Sequence, residues 1–139
     1  MAGEQKANEI TIPASADLSG FQYRAVHLRS DGSAGTYISA MATAIGGGTI
    51  PLGILTNKPT AAGQGARVAI GGVAKMICGA ASIAAGELVT VPGMGGQGSS
   101  IAVTAAGTYY VIGQAKSRAA ASGDIFEVIV NPRLHARAV

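Results

Sequence analysis

The chain has 139 residues, a formal charge of +3, a hydrophobic fraction of 48% and aromatic residues at only 4%, with no tryptophan. A domain of this length buries roughly 70% of its unfolded surface, and here Ala, Val, Ile and Leu have to fill the interior. The ten Lys and Arg residues are scattered and do not form the dense, aromatic-interleaved patch that nucleic acid requires, while a lone Cys78 excludes an intrachain disulfide.

Burying one Val, Leu or Ile stabilises a fold by only about 1.5 to 3 kcal/mol. A core without large rings therefore leans on many small contacts, and a homo-oligomer is the expectation. The segment from Met1 to Lys6 has an early acid and no apolar run behind it, so it is not read as a secretory signal, and synthesis in the cytosol is expected.

Residues 1–16 mix polar and small side chains and then give Ile10-Thr11-Ile12-Pro13, an extended piece read as an N-terminal arm without a partner. Tyr23 to Leu28 alternates at period two and is closed by Asp31-Gly32-Ser33, which predicts a first strand and a turn. Thr36 to Ser39 restarts a strand. Ile50 to Leu55 is another, with Pro51 placed at an edge or at its start.

Ala66 to Ile70 and Val73 to Cys78 are alternating runs separated by Gly71-Gly72, which predicts a tight type I′ hairpin. In the second run Val73, Lys75 and Ile77 oppose Ala74, Met76 and Cys78. A membrane span across 68–86 is excluded by the central Lys75, which costs about 2.5 to 3.5 kcal/mol on insertion scales. The Gly-dense stretch 92–100 reads as an exposed loop leading into Ser99 to Val103. Tyr109 to Ala115 and Asp124 to Val130 follow, the latter ended by Asn131-Pro132, after which 133–139 is a tail.

One turn-then-strand phrase recurs three times: Ala61-Ala62-Gly63, Ala84-Ala85-Gly86-Glu87 and Ala121-Ser122-Gly123-Asp124 each precede an apolar run. Recurrence of this kind signals repeated architecture. The predicted fold is all-β, a small β-barrel or sandwich of short antiparallel strands with an extended N-terminal arm (1–16), a β-rich domain (17–132) and a C-terminal tail (133–139).

Groups able to do chemistry are sparse. His27 and His135 have no Cys, Asp or Glu at ligand spacing, so no metal is expected. Cys78 sits among Gly and Ala and reads as core. Glu87 and Asp124 occupy the same place in two copies of the turn phrase; as a general acid and base they would form a catalytic pair, but matched positions in a repeat favour satisfaction of turn amides. The glycine-rich loop at 93–98 leads into a strand and lacks the Gly-Lys-Ser/Thr of a phosphate loop. No enzyme activity and no cofactor are expected.

Several phrases taken together carry a resemblance. Ala16-Asp17-Leu18-Ser19 before Tyr23-Arg24-Ala25-Val26, Pro51 to Asn57 with Pro59 and Ala61-Ala62-Gly63, Val68 to Lys75, Ile112-Gly113-Gln114-Ala115, and Ile125 to Pro132 resemble the capsid cement (head decoration) proteins of tailed bacteriophages, a family formerly described only as a domain of unknown function. The resemblance spans most of 16–132. It implies a β-rich, non-enzymatic virion protein that binds the outer surface of the expanded head and clamps adjacent major capsid protein subunits, with a trimer favoured and neither nucleic acid nor membrane as partner.

Outside the resemblance, the residues suggest two contact segments. Glu4, Lys6, Ile10, Thr11 and Ile12 form an arm suited to adding a strand to a coat-protein edge. Arg133, His135 and Arg137 form a basic tail suited to an acidic partner, or simply a solvated terminus. The competing reading is a small carbohydrate- or ligand-binding β module displayed on a virion, which calls for exposed aromatics from among Phe21, Tyr23, Tyr37, Tyr109, Tyr110 and Phe126.

Overall fold

Ten strands and a single 3₁₀ turn (Ser19–Phe21), with no α-helix among the described residues, build two antiparallel five-stranded sheets. The computed structural model describes residues 8–30, 36–40, 50–79, 82–91, 95–101 and 107–137. The first sheet contains β1 (Asn8–Pro13), β2 (Ala25–Ser30), β3 (Thr36–Ala40), β4 (Gly53–Leu55) and β5 (Gly65–Gly71), in the order β1-β5-β4-β2-β3. The second contains β6 (Val73–Ile77), β7 (Leu88–Thr90), β8 (Ser99–Ile101), β9 (Gly107–Ala115) and β10 (Ile125–Arg137), in the order β6-β10-β9-β7-β8. The fold is all-β as expected, and of the two architectures expected the closed barrel is not the one formed: among the described residues the edges of the second sheet meet only at the isolated bridge between Cys78 and Gly98.

The two orders are one topology used twice, and the match extends to individual residues. Ile54 and Leu55 pair with Ala69 and Val68 in the first sheet, while Gln114 and Ala115 pair with Ile129 and Val128 in the second. Thr11 opposite Arg67 corresponds to Lys75 opposite Glu127. Arg67 N–H donates to Asn57 Oδ1 at 2.9 Å, and Glu127 N–H donates to Ser117 Oγ at 2.9 Å. A side chain at Gly53 would bring its Cβ within 2.0 Å of the Ala69 carbonyl oxygen, and one at Gly113 within 2.0 Å of that of Ile129. The chain is a tandem structural repeat of a five-stranded unit.

The recurrent turn phrase is a recurrent structure. Gln64, Glu87 and Asp124 N–H groups donate to Ala61, Ala84 and Ala121 carbonyls at 3.2 Å each, with Gly63, Gly86 and Gly123 at φ +86°, +91° and +92°. Those are type II turns, whose third position requires positive φ. Each glycine N–H then donates to a small buried residue: Gly63 to Ala14 (2.9 Å), Gly86 to Ala115 (2.7 Å) and Gly123 to Cys78 (2.7 Å).

Small side chains let the layers approach. Ala14, Leu18, Val26, Leu55, Ala66 and Val68 make the interior of the first sheet, rimmed by Ile10, Ile12, Phe21 and Leu52. Met76, Ile83, Ile112, Phe126 and Val128 anchor the interior of the second, and Ala25, Ile54 and Ala69 from the first sheet join that cluster. Because β4 and β5 are covered on both faces, Val68 and Ala69 are both buried, which breaks the simple alternation expected there.

Three expectations are corrected. Gly71-Gly72 does not turn a hairpin: β5 pairs with β1 and β4, β6 pairs with β10, and the glycines form a corner between sheets, with positive φ at Gly72 alone (+72°). Asn131-Pro132 does not end the last strand. It lies at a register shift in the β9–β10 ladder, where the missing proline N–H is tolerated, and β10 continues to Arg137 opposite Gly107. Within the loop expected to be exposed, Gly96 and Gly98 are buried, Gly96 C=O accepting from Ala25 N–H at 2.8 Å and Gly98 N–H donating to Ile77 C=O at 2.9 Å.

Candidate functional site

Exposed aliphatic side chains mark two places. On the first sheet Leu28 in β2 and Ile50 line an open, apolar depression of about 360 Å³ with His27, Pro51 and Leu52, and Ile70 is exposed near the end of β5. On the second sheet the outward positions of β10 are Ile125, Glu127 and Ile129, opposite Ile77, Lys75 and Val73 of β6. Ile125 and Ile129 are exposed, and Glu127 Oε1 stands 3.7 Å from Lys116 Nζ. The result is an aliphatic strip crossed by charge. Its signal in the sequence is the run Ile125-Phe126-Glu127-Val128-Ile129, apolar at positions of both parities.

The arm residues have a partner within the chain. Ile10, Thr11 and Ile12 lie in β1, paired with Val68, Arg67 and Ala66 of β5, and Ile10 and Ile12 pack on the first interior cluster. The expectation of an unpartnered segment is therefore corrected, because the burial of those two isoleucines draws the segment onto its own sheet. β1 is nevertheless an edge strand. Glu4 and Lys6 lie outside the described residues.

The residues expected in a tail are strand residues. Arg133, His135 and Arg137 occupy alternate positions of β10 opposite Val111, Tyr109 and Gly107. Arg133 is exposed, and its Nη1 donates to Asn131 C=O at 3.0 Å. The side chains of His135 and Arg137 lie outside the described residues. Among the described residues, the far half of this ladder extends beyond the positions that β6 and β7 pair with, as a two-stranded ribbon of 134–137 against 107–110.

Groups weighed for chemistry are engaged structurally. Glu87 Oε1 accepts from Ala84 N–H at 2.6 Å, and Asp124 Oδ2 accepts from Ala120 and Ala121 N–H at 3.1 Å each. Both acids hold turn amides, as their repeated position suggested. Cys78 is buried and serves as the docking residue of the third turn. His27 is half-buried at the depression. Arg24 lies 5.5 Å above the Phe21 ring, and its buried Nε has no hydrogen-bond partner among the described residues.

Among the described residues no group of three or more His, Cys, Asp or Glu is placed to hold a metal ion, and no helix is long and apolar enough to cross a membrane. Phe21, Tyr23 and Tyr110 are partly buried and Phe126 is fully buried; Tyr37 and Tyr109 have side chains outside the described residues. No protein-family profile matches the chain, and a search of curated proteins finds no match.

Proposed function

We propose that the protein is a capsid cement protein of a tailed bacteriophage, binding the outer surface of the expanded head and clamping neighbouring major capsid protein subunits. The observation carrying this reading is the ordered set of phrases from Ala16 to Pro132, which spans both repeats. The surface described above suits it: aliphatic strips, an edge strand carrying Thr11, and a two-stranded β9–β10 ribbon that begins just beyond the exposed Arg133. Isolated two-stranded ribbons are marginal in water, and one that gains a neighbour on binding couples its own order to the lattice.

The mechanism is linkage. A ligand that binds only the expanded lattice stabilises it by RT ln(1 + [L]/Kd), about 2.7 kcal/mol per site at a hundredfold excess over Kd, and summed over equivalent sites modest contacts make a resistant shell. Mixing the purified protein with expanded heads and with unexpanded procapsids of the phage that encodes it, then imaging both, tests the reading. Ordered density on expanded heads alone is expected; bare expanded heads would overturn it.

A further inference from the structure

Equivalent positions of the two repeats are covered unequally, and the inequality has one direction. The outward face of the first sheet contributes Ala25, Ile54 and Ala69, each 0% exposed, to the cluster inside the second sheet. Register identifies their counterparts in the second sheet as Leu88, Gln114 and Ile129. Of these, Leu88 is buried at 8% exposed, whereas Gln114 is exposed and Ile129 is 45% exposed. The receiving side shows the reverse. Val91 and Val130 belong to the cluster that takes up the first sheet and are 0% and 4% exposed, whereas Leu28 and Ile70, at the matching positions of the first repeat, are 45% and 37% exposed.

The chain thus joins the outward face of one repeat to the interior rim of the next, and it keeps one unmatched rim and one unmatched outward face. We propose that the protein self-associates head to tail, the outward face around Ile125 and Ile129 of one copy seating on the Leu28, Ile50 and Ile70 rim of the next. A second copy is the occupant because the same two kinds of surface already meet once inside the chain. Among the described residues, all five large exposed apolar side chains fall on these two patches. The contact is heterologous, so repetition closes a ring if the rotation per copy returns to its start and extends a filament otherwise. It stands independently of any capsid.

Light scattering coupled to size-exclusion chromatography tests this on the full chain. Ile129→Glu and Leu28→Glu alter exposed positions, and circular dichroism with thermal melting verifies that each variant keeps the wild-type fold. Wild-type protein is expected to run as a multiple of one chain and each variant as a single chain. An equimolar mixture of the two variants should recover a two-chain species and nothing larger, since each supplies one intact patch. A wild type that stays monomeric at its highest soluble concentration, a folded variant that still assembles, or a mixture that stays monomeric overturns the proposal, the second because a self-complementary contact would need only one of the patches, the third because one intact copy of each patch would not suffice.

Discussion

Tyr23 and Gly86 hold the same position in two copies of one turn. Tyr23 has φ +65° and Gly86 +91°; Tyr23 N–H donates to Leu55 C=O and Gly86 N–H to Ala115 C=O, both at 2.7 Å. One residue on, Arg24 N–H donates to Phe21 C=O at 3.1 Å as Glu87 N–H does to Ala84 C=O at 3.2 Å. The strained tyrosine is therefore the fourth turn of the set, with a side chain where the other three carry glycine.

From this follows a prediction about the turns. A Cβ at Gly63, Gly86 or Gly123 meets nothing within 4 Å, so alanine at any of them costs only the left-handed backbone penalty, about 1 to 2 kcal/mol. Tyr23→Gly relieves that penalty but loses ring packing and gains unfolded-state entropy, and the net change should stay within about 1 kcal/mol. Urea midpoints for the four variants check this; unequal losses at the three glycines would contradict the equivalence of the turns.

Gly53 and Gly113 behave differently because the obstacle is steric. An added Cβ lies 2.0 Å from a carbonyl oxygen of the partner strand in each case, so the β4–β5 or β9–β10 ladder has to part. Gly53→Ala and Gly113→Ala are each expected to destabilise by more than about 3 kcal/mol, the upper range of overpacking costs. Chemical denaturation, or loss of soluble expression, reports it.

Asp124 and Glu87 separate a structural role from a chemical one. Asp124→Ala leaves two turn amides without an acceptor and Glu87→Ala leaves one, and each loss should cost about 1 kcal/mol, as for a lost helix cap. Asp124→Asn keeps an acceptor oxygen and should retain most of that stability. Midpoint shifts in urea measure it, and unchanged stability in the alanine variants would remove the acids from the turns.

Asp17 sets a small acid dependence. Hydrogen bonds from the Ser19 side chain and backbone hold its carboxyl below the ordinary value of 3.8. A folded pKa below the unfolded one gives a contribution present above the unfolded pKa and lost as pH falls through the folded pKa. The stability difference between wild type and Asp17→Asn should therefore be flat from neutral pH down to about 5 and shrink below 3.8. A difference that grows on acidification would reverse the sign of this contact.

What the sequence made legible was local. The turn phrases were visible because glycine and an acid or amide recur at fixed spacing, and the inward set Ala74, Met76 and Cys78 followed from alternation. The two-fold repeat was hidden because matched positions differ in size, Ala66 against Phe126 and Gly65 against Ile125, while the same residue stands at Gly53 and Gly113 and at Val68 and Val128. Gly71-Gly72 suits a hairpin and a sheet-to-sheet corner equally; only the distant partners of β5 and β6 decide between them. The exposed patches depend on which repeat covers which, a property of tertiary packing that no local pattern carries.

The end of β10 gives the sharpest contrast between those two kinds of information. Asn131-Pro132 marks a strand end by local rules, so deleting residues 133–139 should then be harmless. In the fold Arg133 to Arg137 pairs with Val111 to Gly107, and the deletion removes several ladder hydrogen bonds at a net of about 1 kcal/mol each. It also strips the partner from the first half of β9. Truncation is therefore expected to lower the urea midpoint clearly and to raise amide exchange at Gly107 to Tyr110 while Val111 to Ala115, still paired with β7 and the first half of β10, stays protected. Uniform exchange across β9 in the truncated chain would mean that the far half of the ladder contributes nothing.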